Sequence, residues 1–556
     1  MKASTSASLR AQQVSSYLSN AFIWFHNRWA KLAGSRPEAV ILPLHGSYPA
    51  RTRKLLWWNV FSWVGSKESS LESFSHQVSR LCDSPWIERI ILMPEGLELQ
   101  ASSAFALRQQ LLRLRQAGKH SSIYLERLDL LSYYLASACD SIVMPPSGEI
   151  FLLGIGLERT FMRDALERWG LAFDKLAIRR YKNAFDELVR QEMSEAQREQ
   201  LEQLLSSLDS SILGSIAESR QLSSDTLQQC LQQPVISSEA AQAQGLIDRV
   251  AYPDDLLNDK QQYYRDVGRF LWQRPRTAER SVAVISLEGI IVPGQSQRSP
   301  FPLPLVGEAQ AGSETLQRAF RAAAQDDSIG AIVFHVDSGG GSALASDIIS
   351  QALRQAKKQK PVVAVMGSVA ASGGYYVLSH ADHIVAAPTT ITGSIGVLLG
   401  KLVLEQFYAR YGFNVEVIRR HPYALAFSSS RAFSEAEREW LERYMVDVYE
   451  RFVGHVATGR NLSLEAVHAR AEGRIWSGID AQAQGLVDEL GDIDLAIQRA
   501  KERAKLSPHA PVRNVYGGDK PLLPEQPQES LRAFLANLQA LQREQALLLS
   551  TWRVQA

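Results

Sequence analysis

The sequence contains very little cysteine. Only Cys82, Cys139 and Cys230 occur in 556 residues. They are widely spaced and odd in number, and no Cys-x-x-Cys pair is present, which excludes a disulfide framework and a cysteine zinc site. We expect all three to be ordinary buried thiols, so the fold must be stabilised by its hydrophobic cores.

The sequence also lacks a long apolar run and an excess of charge. No stretch approaches the roughly 18 to 20 apolar residues that a membrane-spanning helix needs, and the N-terminus has no uninterrupted apolar centre typical of a secretory signal. The 60 Lys and Arg residues balance 59 Asp and Glu residues, which leaves a formal net charge of +1. A near-neutral chain has no general electrostatic attraction to nucleic acid, so we expect no nucleic-acid partner.

Two segments near the N-terminus suit a membrane surface. In residues 17–32, apolar side chains recur at helical steps with basic side chains between them, which is typical of a helix lying on a membrane. These apolar residues are Leu18, Phe22, Phe25, Trp29 and Leu32. In the second segment, Arg51, Arg53 and Lys54 precede a run of leucine, tryptophan and phenylalanine that ends at Trp63. Packing of both segments on the protein itself is the alternative.

The chain consists largely of two copies of one sequence unit. The sequence MSEAQREQL at 193–201 returns as FSEAEREWL at 433–441, and AQAQGLID at 241–248 returns as AQAQGLVD at 481–488. Residue 193 thus corresponds to 433 and residue 241 to 481, an offset of 240. A repeat of that size is a whole domain. It also agrees with the length, because 556 residues exceed what one hydrophobic core supports.

Apolar strands alternate with helices in both halves, which predicts an α/β fold in which each half is a parallel sheet flanked by helices. The predicted strands are 39–44, 89–93 and 122–125 in the first half and 282–287, 331–336 and 361–366 in the second, and the predicted helices include 104–116, 344–357 and 434–453.

We expect five regions along the chain. A charge-rich stretch containing Pro275 suggests a connector, and Pro-rich sequence after about residue 506 leads into a predicted helix carrying Leu531, Leu535, Leu538 and Leu541. The regions are an amphipathic segment (1–36), an N-terminal domain (37–251), a connector (252–280), a C-terminal domain (281–505) and a tail with a helix (506–556).

A glycine-rich loop follows a predicted buried strand of the second half. It reads Asp-Ser-Gly-Gly-Gly-Ser at 337–342, and its counterpart in the first half has lost the glycines. Consecutive glycines let backbone N–H groups approach a ligand closely, as an oxyanion hole requires. A plain turn is the alternative, and a phosphate loop is excluded because no Gly-Lys-Ser/Thr follows.

A serine and a lysine occur in opposite halves. Ser372 lies among small residues between a strand and a helix, where its hydroxyl could point outward or could cap the helix. Its counterpart in the first half is Leu130. Lys182 lies shortly before the repeated helix, and its counterpart in the second half is Pro422. Each half therefore keeps one reactive residue that the other lacks.

His380, Asp382 and His383 invite a Ser-His-Asp interpretation, but they follow Ser372 too closely to form a triad with it. We interpret them as surface or helix-end polarity, and the His-x-x-His spacing indicates no metal site.

Four motifs together resemble the signal peptide peptidase A family in its long, duplicated form, also called protease IV, whose members are Ser–Lys proteases of the Clp/crotonase-like fold. The resemblance covers roughly residues 37–505 and rests on residues 181–184 (YKNA), 337–342 (DSGGGS), 371–375 (ASGGY) and 392–396 (TGSIG). The chain departs from the family pattern at Gly339, where proline is usual.

The resemblance implies a role for each site residue. Ser372 would be the nucleophile, Lys182 the general base and Ser394 the residue that orients the lysine. The oxyanion hole would be formed by Gly340, Gly341 and Gly373. No cofactor and no metal are implied. Because a base must be neutral, the pKa of Lys182 would have to fall by roughly three units from about 10.4, and burial away from acids is the available means.

The resemblance further implies a serine endopeptidase that degrades cleaved signal peptides and other short apolar or unfolded peptides at a membrane surface. A homotetramer is the expected assembly. Because no spanning segment or signal is evident, we expect peripheral attachment to a membrane, with a cytoplasmic location as the alternative. Two other functions stay open: a crotonase-like acyl-CoA enzyme, which would need neither Ser372 nor Lys182, and a catalytically silent membrane-associated scaffold.

Overall fold

The structure is a computed structural model that describes residues 20–32, 36–51, 69–233, 235–257, 260–275, 279–303, 307–517 and 547–549. The predicted tail helix with its four leucines, and the basic and aromatic cluster beyond Arg51, lie outside the described residues.

The N-terminal half is built on a six-stranded sheet in the order β10-β1-β2-β3-β5-β9, and every neighbouring pair in it is parallel. A small sheet of β4, β6 and β8 lies beside it. The strands are β1 (Ala39–Ser47), β2 (Arg89–Glu98), β3 (His120–Tyr124), β4 (Arg127–Asp129), β5 (Ser141–Met144), β6 (Glu149–Phe151), β7 (Ala172–Ile178), β8 (Ile236–Ser237), β9 (Arg249–Val250) and β10 (Gln261–Tyr263). The helices are α1 (residues 20–32), α2 (Leu71–Asp83), α3 (Ala101–Gln116), α4 (Leu130–Ala136), α5 (Arg163–Arg168), α6 (Asp186–Val189), α7 (Glu195–Arg220), α8 (Ser224–Leu231) and α9 (Ser238–Ala243).

The C-terminal half repeats this plan with a sheet in the order β21-β19-β17-β15-β11-β23, to which β18 and β22 are added beside β17. All of its pairs are parallel except β19 with β21. The strands are β11 (Ser281–Glu288), β12 (Ile290–Val292), β13 (Gln297–Leu303), β14 (Gly307–Gly312), β15 (Ile329–Ser338), β16 (Gly340–Ser342), β17 (Val362–Ala371), β18 (His383–Ala386), β19 (Ile391–Gly393), β20 (Val397–Val403), β21 (Ile475–Ser477), β22 (Glu489–Leu490), β23 (Val512–Asn514) and β24 (Leu547–Leu549). The helices are α10 (Ser313–Gln325), α11 (Ala343–Lys357), α12 (Gly373–Leu378), α13 (Glu405–Tyr411), α14 (Glu435–Arg460), α15 (Leu464–Arg470), α16 (Gly478–Ala483) and α17 (Ile493–Arg503).

The repeated motif begins the same long helix in each half. The hydroxyl of Ser194 accepts from the backbone N–H of Gln197 at the start of α7, and the hydroxyl of Ser434 accepts from Glu437 at the start of α14. Each helix is 26 residues long. A hydroxyl cap of this kind satisfies one of the unpaired N–H groups of the first turn. The structure therefore confirms the helix predicted at 434–453 and extends it to Arg460.

A third sheet joins the two halves, in the order β13-β14-β12-β16-β24-β20-β7. Strand β7 comes from the N-terminal half but pairs antiparallel with β20 of the C-terminal half over seven residues, from Ala172 opposite Val403 to Ile178 opposite Val397. The N-terminal half thus extends one strand across the boundary, and the loop that follows β7 carries Lys182 into the C-terminal half.

The predicted connector and tail also contribute to the two sheets. Strand β10 of the 252–280 region pairs with β1, and Val267, Phe270 and Leu271 are buried in the N-terminal core. Strand β23 of the tail pairs with β11. The domain boundaries stay predictions, but both flanking regions pack on the halves beside them.

The predicted apolar stripe on α1 is largely exposed, although the Trp29 ring stacks against Phe270. The helix packs inward through Ile23, Asn27 and Ala30, which are buried, and the Asn27 side chain donates to the backbone oxygen of Gln273. The exposed fractions of the stripe are 70% for Phe22, 66% for Phe25, 52% for Trp29 and 74% for Leu32. Among the described residues, no helix is long and apolar enough to cross a membrane.

The cysteines are unpaired thiols. Cys139 and Cys230 are buried as expected, whereas Cys82 is only half-buried. Burial raises the pKa of the Cys139 thiol to about 12, so this side chain behaves as a small apolar group at neutral pH.

Candidate active site

Ser372 occupies the sharp turn between β17 and α12. Its backbone has φ of 55° and ψ of −117°, a conformation that L-residues rarely adopt and that costs about 1 to 3 kcal/mol. The turn is secured because the Ser372 N–H donates to the Gly393 carbonyl at 2.8 Å. Although Ser372 is the residue before α12, its hydroxyl makes no capping hydrogen bond to the helix. Its Oγ is therefore available for another partner.

Lys182 provides that partner from the other half of the chain. Its Nζ lies 2.7 Å from Oγ of Ser372, across 190 residues of sequence. The same nitrogen lies 2.9 Å from the Ser394 carbonyl oxygen and 3.0 Å from the Ser394 hydroxyl. All three side chains are buried, with exposed fractions of 0% for Ser372, 2% for Lys182 and 2% for Ser394. The structure thus brings together the three polar side chains that the sequence singled out.

The backbone of Lys182 is held by a tight approach to Gly473. A Cβ atom at Gly473 would lie 2.6 Å from the Lys182 backbone nitrogen, and Gly473 has φ of 80°. The N–H of Tyr181 donates to the Glu472 carbonyl at 3.0 Å. On the other side, the Gln200 side-chain amide donates to the Tyr181 carbonyl and to the Asn183 side chain. These contacts fix the direction in which the lysine leaves its loop.

The same short segment fixes Ser394. The Ser394 N–H donates to the Arg474 carbonyl at 2.7 Å, and the Gly473 N–H donates to the Ile395 carbonyl at 2.8 Å. The backbone of residues 472–474 therefore positions both Lys182 and Ser394. The sequence reasoning missed Gly473, yet a signal was present: the residue 240 positions earlier is Gln233, so this glycine also occurs in one half only.

Burial lowers the pKa of Lys182 well below its ordinary value, and the nearby Lys175 ammonium lowers it further. The Lys175 Nζ donates to the Lys182 carbonyl oxygen at 3.1 Å and pairs with the Asp186 carboxylate at 2.5 Å. Its positive charge thus stays close to Lys182 while being balanced by Asp186. Both effects favour the neutral amine, which is the form that a base requires.

Replacing Lys175 by methionine should move the acid limb of the pH–rate profile to higher pH. Removing the nearby positive charge raises the pKa of Lys182, so a higher pH is needed to deprotonate it. The measurement is kcat/KM for peptide hydrolysis against pH, with Arg190→Met as a control because Arg190 also faces Asp186 but from an exposed position. A profile unchanged in position would show that Lys175 does not tune the lysine.

The three glycines predicted to form an oxyanion hole lie at the starts of two elements, β16 and α12. Gly340 and Gly341 open β16, and Gly373 is the first residue of α12. Because the first turn of a helix has no internal acceptors, the Gly373 N–H is free of intrahelical bonds. The Gly340 N–H donates to the Ser338 hydroxyl at 3.0 Å, so its use as an oxyanion donor would require release from that hydroxyl.

The Gly341 position tolerates no side chain. It has φ of 156°, and a Cβ there would lie 2.1 Å from the Ile291 carbonyl oxygen. Gly374 is the second residue of α12, and a Cβ added there would lie 2.3 Å from the Ser338 carbonyl oxygen. The glycine loop and the start of α12 are therefore in direct contact, which explains why both are built from glycine.

The histidines near Ser372 take part in other contacts. His380 is buried just after α12, and its Nε2 lies 3.3 Å from Nδ1 of His455. It is therefore a polar residue at a helix end, as one of the two interpretations predicted, and it does not lie on the surface. His383 lies 3.0 Å from the Glu489 carboxylate, and Asp382 accepts from the Val362 N–H. Within the described ranges, no group of three or more His, Cys, Asp or Glu side chains could hold a metal ion.

An extended segment lies in the sheet beside the glycine loop. Strand β24 runs antiparallel to β16, with Leu549 opposite Gly340 and Leu548 opposite Gly341, and its Leu547 also pairs with Leu398 of β20. Strand β24 therefore occupies a slot between β16 and β20 that is wide enough for one strand. This slot begins at the predicted oxyanion residues.

Comparison with known proteins agrees with this arrangement. The profile of Peptidase family S49 matches twice, over residues 113–267 and 354–507, which together are more than half of the chain. The chain is 30% identical over 452 residues to the serine protease SPPA, chloroplastic, of Arabidopsis thaliana, covering 79% of this chain and 66% of that protein. It is 29% identical over 450 residues to Protease 4 of Haemophilus influenzae, covering 76% of this chain and 71% of that protein.

A third relative, named putative signal peptide peptidase SppA, of Enterococcus faecium, is 28% identical over 232 residues, covering 41% of this chain and 65% of that protein. The chain thus spans about two thirds of the length of these relatives. A scaffold of two parallel sheets with a match in each half defines a duplicated α/β peptidase of the serine protease class.

The chain belongs to Peptidase family S49. The doubled match confirms the predicted duplication, and together with the sheet topology it confirms the α/β fold class of two tandem domains, each a sheet of mainly parallel strands flanked by helices.

Proposed function

We propose that the chain is a serine endopeptidase in which Ser372 is the nucleophile and Lys182 the general base. The observation that carries the proposal is the 2.7 Å distance between the Lys182 amine and the Ser372 hydroxyl inside a buried site. A neutral amine in hydrogen-bonding contact with a hydroxyl is the arrangement that nucleophilic catalysis needs. Neither acyl-CoA chemistry nor a silent scaffold would need this pair.

In the proposed reaction, Oγ of Ser372 attacks a peptide carbonyl carbon while its proton passes to Nζ of Lys182. The tetrahedral intermediate collapses with cleavage of the C–N bond, and the lysine ammonium gives the proton to the leaving amine. Water then attacks the acyl-enzyme, Lys182 accepts its proton, and Oγ receives that proton as the second product leaves. Ser394 contributes its hydroxyl and carbonyl as acceptors that orient the ammonium between these steps.

The intermediate carries a negative oxygen that needs hydrogen-bond donors. The backbone N–H groups of Gly373 and Gly341 are the proposed donors, with Gly340 as a third once it leaves the Ser338 hydroxyl. Removing a single donor of this kind in other hydrolases costs about 3 to 4 kcal/mol of transition-state stabilisation. Here the donors are backbone groups, so the glycines are what allow the substrate carbonyl to approach them.

The proposed substrates are short, extended, apolar peptides, including cleaved signal peptides and unfolded segments. Extended peptides are supported by the slot between β16 and β20, which accepts β24 as an added strand. Apolar character is proposed from the sequence of β24, which consists of three consecutive leucines. Signal peptides are proposed from the likeness to the Enterococcus faecium relative, whose name states that substrate.

The experiment that tests this function is incubation of the purified chain with an extended apolar peptide and identification of the products by mass spectrometry. Internal cleavage of the peptide supports an endopeptidase. Turnover of acyl-CoA thioesters with no peptide cleavage would support the crotonase-like alternative, and turnover of neither would support the silent scaffold.

Deleting residues 518–556 should lower KM for peptide hydrolysis by about tenfold, because a tethered segment competes with substrate at a high effective concentration. The deletion removes β24 from the slot. Steady-state kinetics with the same apolar peptide measure the effect. Deletion of residues 550–556 alone, which keeps β24, is the matched control. A KM that stays unchanged after the longer deletion would mean that β24 does not occupy the substrate position.

We also propose that the chain binds a membrane peripherally through α1. The support is the exposed stripe of Phe22, Phe25, Trp29 and Leu32 on a helix that is anchored to the protein by its opposite face. Exposed aromatic and leucine side chains on one helix face are suited to the boundary between lipid headgroups and acyl chains. A homotetramer is proposed as the assembly, and no nucleic-acid partner is proposed.

Replacing both Phe22 and Phe25 by serine should reduce the fraction of protein that floats with liposomes more than tenfold, since burial of each large apolar side chain contributes about 1.5 to 3 kcal/mol. The control replaces Val235 and Tyr252, which are exposed on other surfaces, by serine. Equal flotation of the two double variants would exclude α1 as the membrane contact.

A further inference from the structure

Two helices of the C-terminal half begin at the loops that form the candidate active site. Helix α12 begins directly after Ser372, and α11 begins directly after the glycine loop of residues 337–342. The Tyr376 N–H of α12 donates to the Ser372 carbonyl oxygen at 2.9 Å. The Ser346 hydroxyl of α11 donates to the Ser342 carbonyl oxygen at 2.7 Å. A shift of either helix would therefore move the loop that precedes it.

A chain of polar side chains joins these two helices to α14. The Tyr376 hydroxyl donates to Oδ1 of Asp347 at 2.9 Å, which ties α12 to α11. Nε2 of His455, on α14, lies 3.5 Å from the same carboxylate oxygen. Nδ1 of His455 lies 3.3 Å from Nε2 of His380, which follows α12. His455 thus contacts residues of both other helical segments, and we call these four residues the histidine network.

The histidine network lies at a close contact between helices. The rings of His455 and Tyr376 pack together, with centroids 4.6 Å apart and an angle of 31° between the ring planes. One turn further along α14, a Cβ added at Gly459 would lie 2.3 Å from the Ser379 carbonyl oxygen. Helix α14 is therefore in direct contact with the end of α12. In such close packing, a change at His455 displaces its neighbours because no free space absorbs it.

The N-terminal half holds the same three-helix contact with a different group at its centre. Tyr134 corresponds to Tyr376 at an offset of 242, and Ser215 corresponds to His455 at an offset of 240. The buried Arg108 joins the two N-terminal positions, because its guanidinium donates to the carbonyl oxygens of Tyr134 and Ser215, both at 3.1 Å. A guanidinium stays charged at every pH at which a protein is folded, so this contact does not titrate.

The half that carries Ser372 has lost this arginine. Ser350 stands at the position of Arg108, and its buried hydroxyl makes no hydrogen bond to the residues that the structure describes. His380 stands at the position of Ala138. A pair of titratable imidazoles thus replaces a permanent cation, and the pair occurs beside the helix that follows the serine.

The surroundings favour the neutral form of both imidazoles. Burial lowers the pKa of His380 to about 4 and also lowers the pKa of His455. Nearby cations act in the same direction on one or both rings, and one carboxylate opposes them at His455. The groups that face the pair are Arg354, Lys357 and Asp347 of α11, Arg451 of α14, Tyr376 of α12, and Asp382, which pairs with Lys357 at 3.2 Å. Two neutral imidazoles can share one N–H···N hydrogen bond, whereas two imidazolium rings cannot.

We propose that His455 and His380 are positioning residues, which hold α12 in the direction that aligns the Ser372 hydroxyl and the Gly373 N–H for reaction. Helix α12 has only six residues, so a displacement of its C-terminal end reaches Ser372 within about two turns. The hydrogen bond between Tyr376 and Asp347 extends the same control to α11 and the glycine loop before it. This inference rests on the proposed peptidase function and adds residues that act through α12.

The test replaces His455 by phenylalanine, which keeps a ring against Tyr376 but has no nitrogen. We expect kcat for peptide hydrolysis to fall about ten- to hundredfold and KM to change by less than about twofold, because misalignment affects the transition state more than substrate binding. His455→Asn returns a polar side chain to this place and should recover most of the lost kcat. Steady-state kinetics of the full-length proteins measure both constants, and thermal unfolding checks that each variant is folded. Where His455→Phe does not fold, Tyr376→Phe takes its place, since it removes only the hydroxyl that donates to Asp347.

The matched control is Arg108→Met, which breaks the corresponding contact in the N-terminal half. It should lower the melting temperature while leaving kcat within about twofold of the wild type, because the helix that it loosens does not follow the serine. Ser219→Ala, which removes one partner of Arg108, replaces this control where Arg108→Met does not fold.

The pH dependence of kcat provides a second readout. His380→Gln keeps an amide near the position of Nε2 but cannot be protonated. The ratio of kcat in the wild type to kcat in His380→Gln cancels the titration of Lys182, which both proteins share. Because the pKa of His380 lies near 4, below its ordinary value of 6.5, half of the wild-type molecules carry the proton at pH 4 and lose the histidine network. We therefore expect the ratio to fall about twofold between pH 6.5 and pH 4.

The outcomes separate this inference from the proposed function. A wild type that cleaves no peptide would overturn the proposed function and this inference with it. An active wild type with equal kcat in His455→Phe would overturn the inference alone. The same holds if His455→Asn recovers none of the lost kcat, if Arg108→Met loses as much kcat as His455→Phe, or if the ratio of kcat values does not change with pH.

Discussion

Replacing Lys182 by methionine should lower kcat/KM for peptide hydrolysis by about three to four orders of magnitude. Methionine fills a similar volume but cannot accept the proton of Ser372, whose hydroxyl lies 2.7 Å from the lysine amine. The loss should appear in kcat more than in KM, because proton transfer occurs in the transition state and not in substrate binding. Steady-state kinetics with a short apolar peptide measure both constants.

The Lys182→Arg variant should be equally inactive. Arginine keeps a positive charge but is never neutral in water-exposed or buried protein sites, so it cannot act as a base. In the wild type, activity should fall as the pH drops through the lowered pKa of Lys182, since protonation removes the base. That acid limb should be absent from the residual activity of Lys182→Met.

The matched control for these variants is Lys119→Met. Lys119 is another buried lysine, whose Nζ donates to the carbonyl oxygens of Ser84 and Ile87 in the N-terminal half. Its replacement should lower the melting temperature while leaving kcat within about twofold of the wild type, because these Lys119 contacts are made to backbone groups of the N-terminal half and not to the proposed active site. If Lys182→Met retained wild-type kcat, or if Lys119→Met lost as much, the role of Lys182 as base would be wrong.

Replacing Ser372 by alanine should remove turnover almost completely, by about four to six orders of magnitude in kcat. Ser394 also contacts this lysine through its hydroxyl, at 3.0 Å, but its proposed role is to orient the amine, so it should not replace Ser372 as the nucleophile. Peptide binding should persist, since the slot between β16 and β20 is unchanged. Kinetics and equilibrium binding of the same peptide separate the two effects.

The Ser394→Ala variant provides the graded comparison for Ser372→Ala. It removes the hydroxyl contact to Lys182 but leaves the Ser394 carbonyl contact at 2.9 Å. We therefore expect a decrease of about 10- to 100-fold, the size of one lost hydrogen bond to a charged group. A Ser394→Ala protein less active than Ser372→Ala would reverse the roles assigned to the two serines.

The sequence alone was sufficient to predict the α/β scaffold and its internal duplication. The repeat at an offset of 240 identified two units, and the presence of Leu130 and Pro422 at the matched positions made Ser372 and Lys182 stand out. Strand and helix periodicity then placed both residues in loops at the ends of elements. Such local signals depend only on side-chain order along the chain, which the sequence contains directly.

The contacts that hold the site could not be predicted in the same way. The approach of Gly473 to Lys182 joins segments nearly 300 residues apart, and it depends on backbone direction more than on any side-chain pattern. The pairing of β7 with β20 likewise depends on which sheet edge is available after both halves have folded. The orientation of α1 was also undetermined, because a helix with Ile23, Asn27 and Ala30 on one face and Phe22 and Phe25 on another can pack by either.

Covalent labelling with a serine-reactive fluorophosphonate, followed by mass spectrometry of the digested protein, tests the pairing of Ser372 with Lys182 most directly. We expect a single modified residue, Ser372, in the wild type and at least a hundredfold slower labelling in Lys182→Met, because the hydroxyl loses its base. Modification at a different serine, or modification of Ser372 at an equal rate in both proteins, would contradict a Ser372–Lys182 active site.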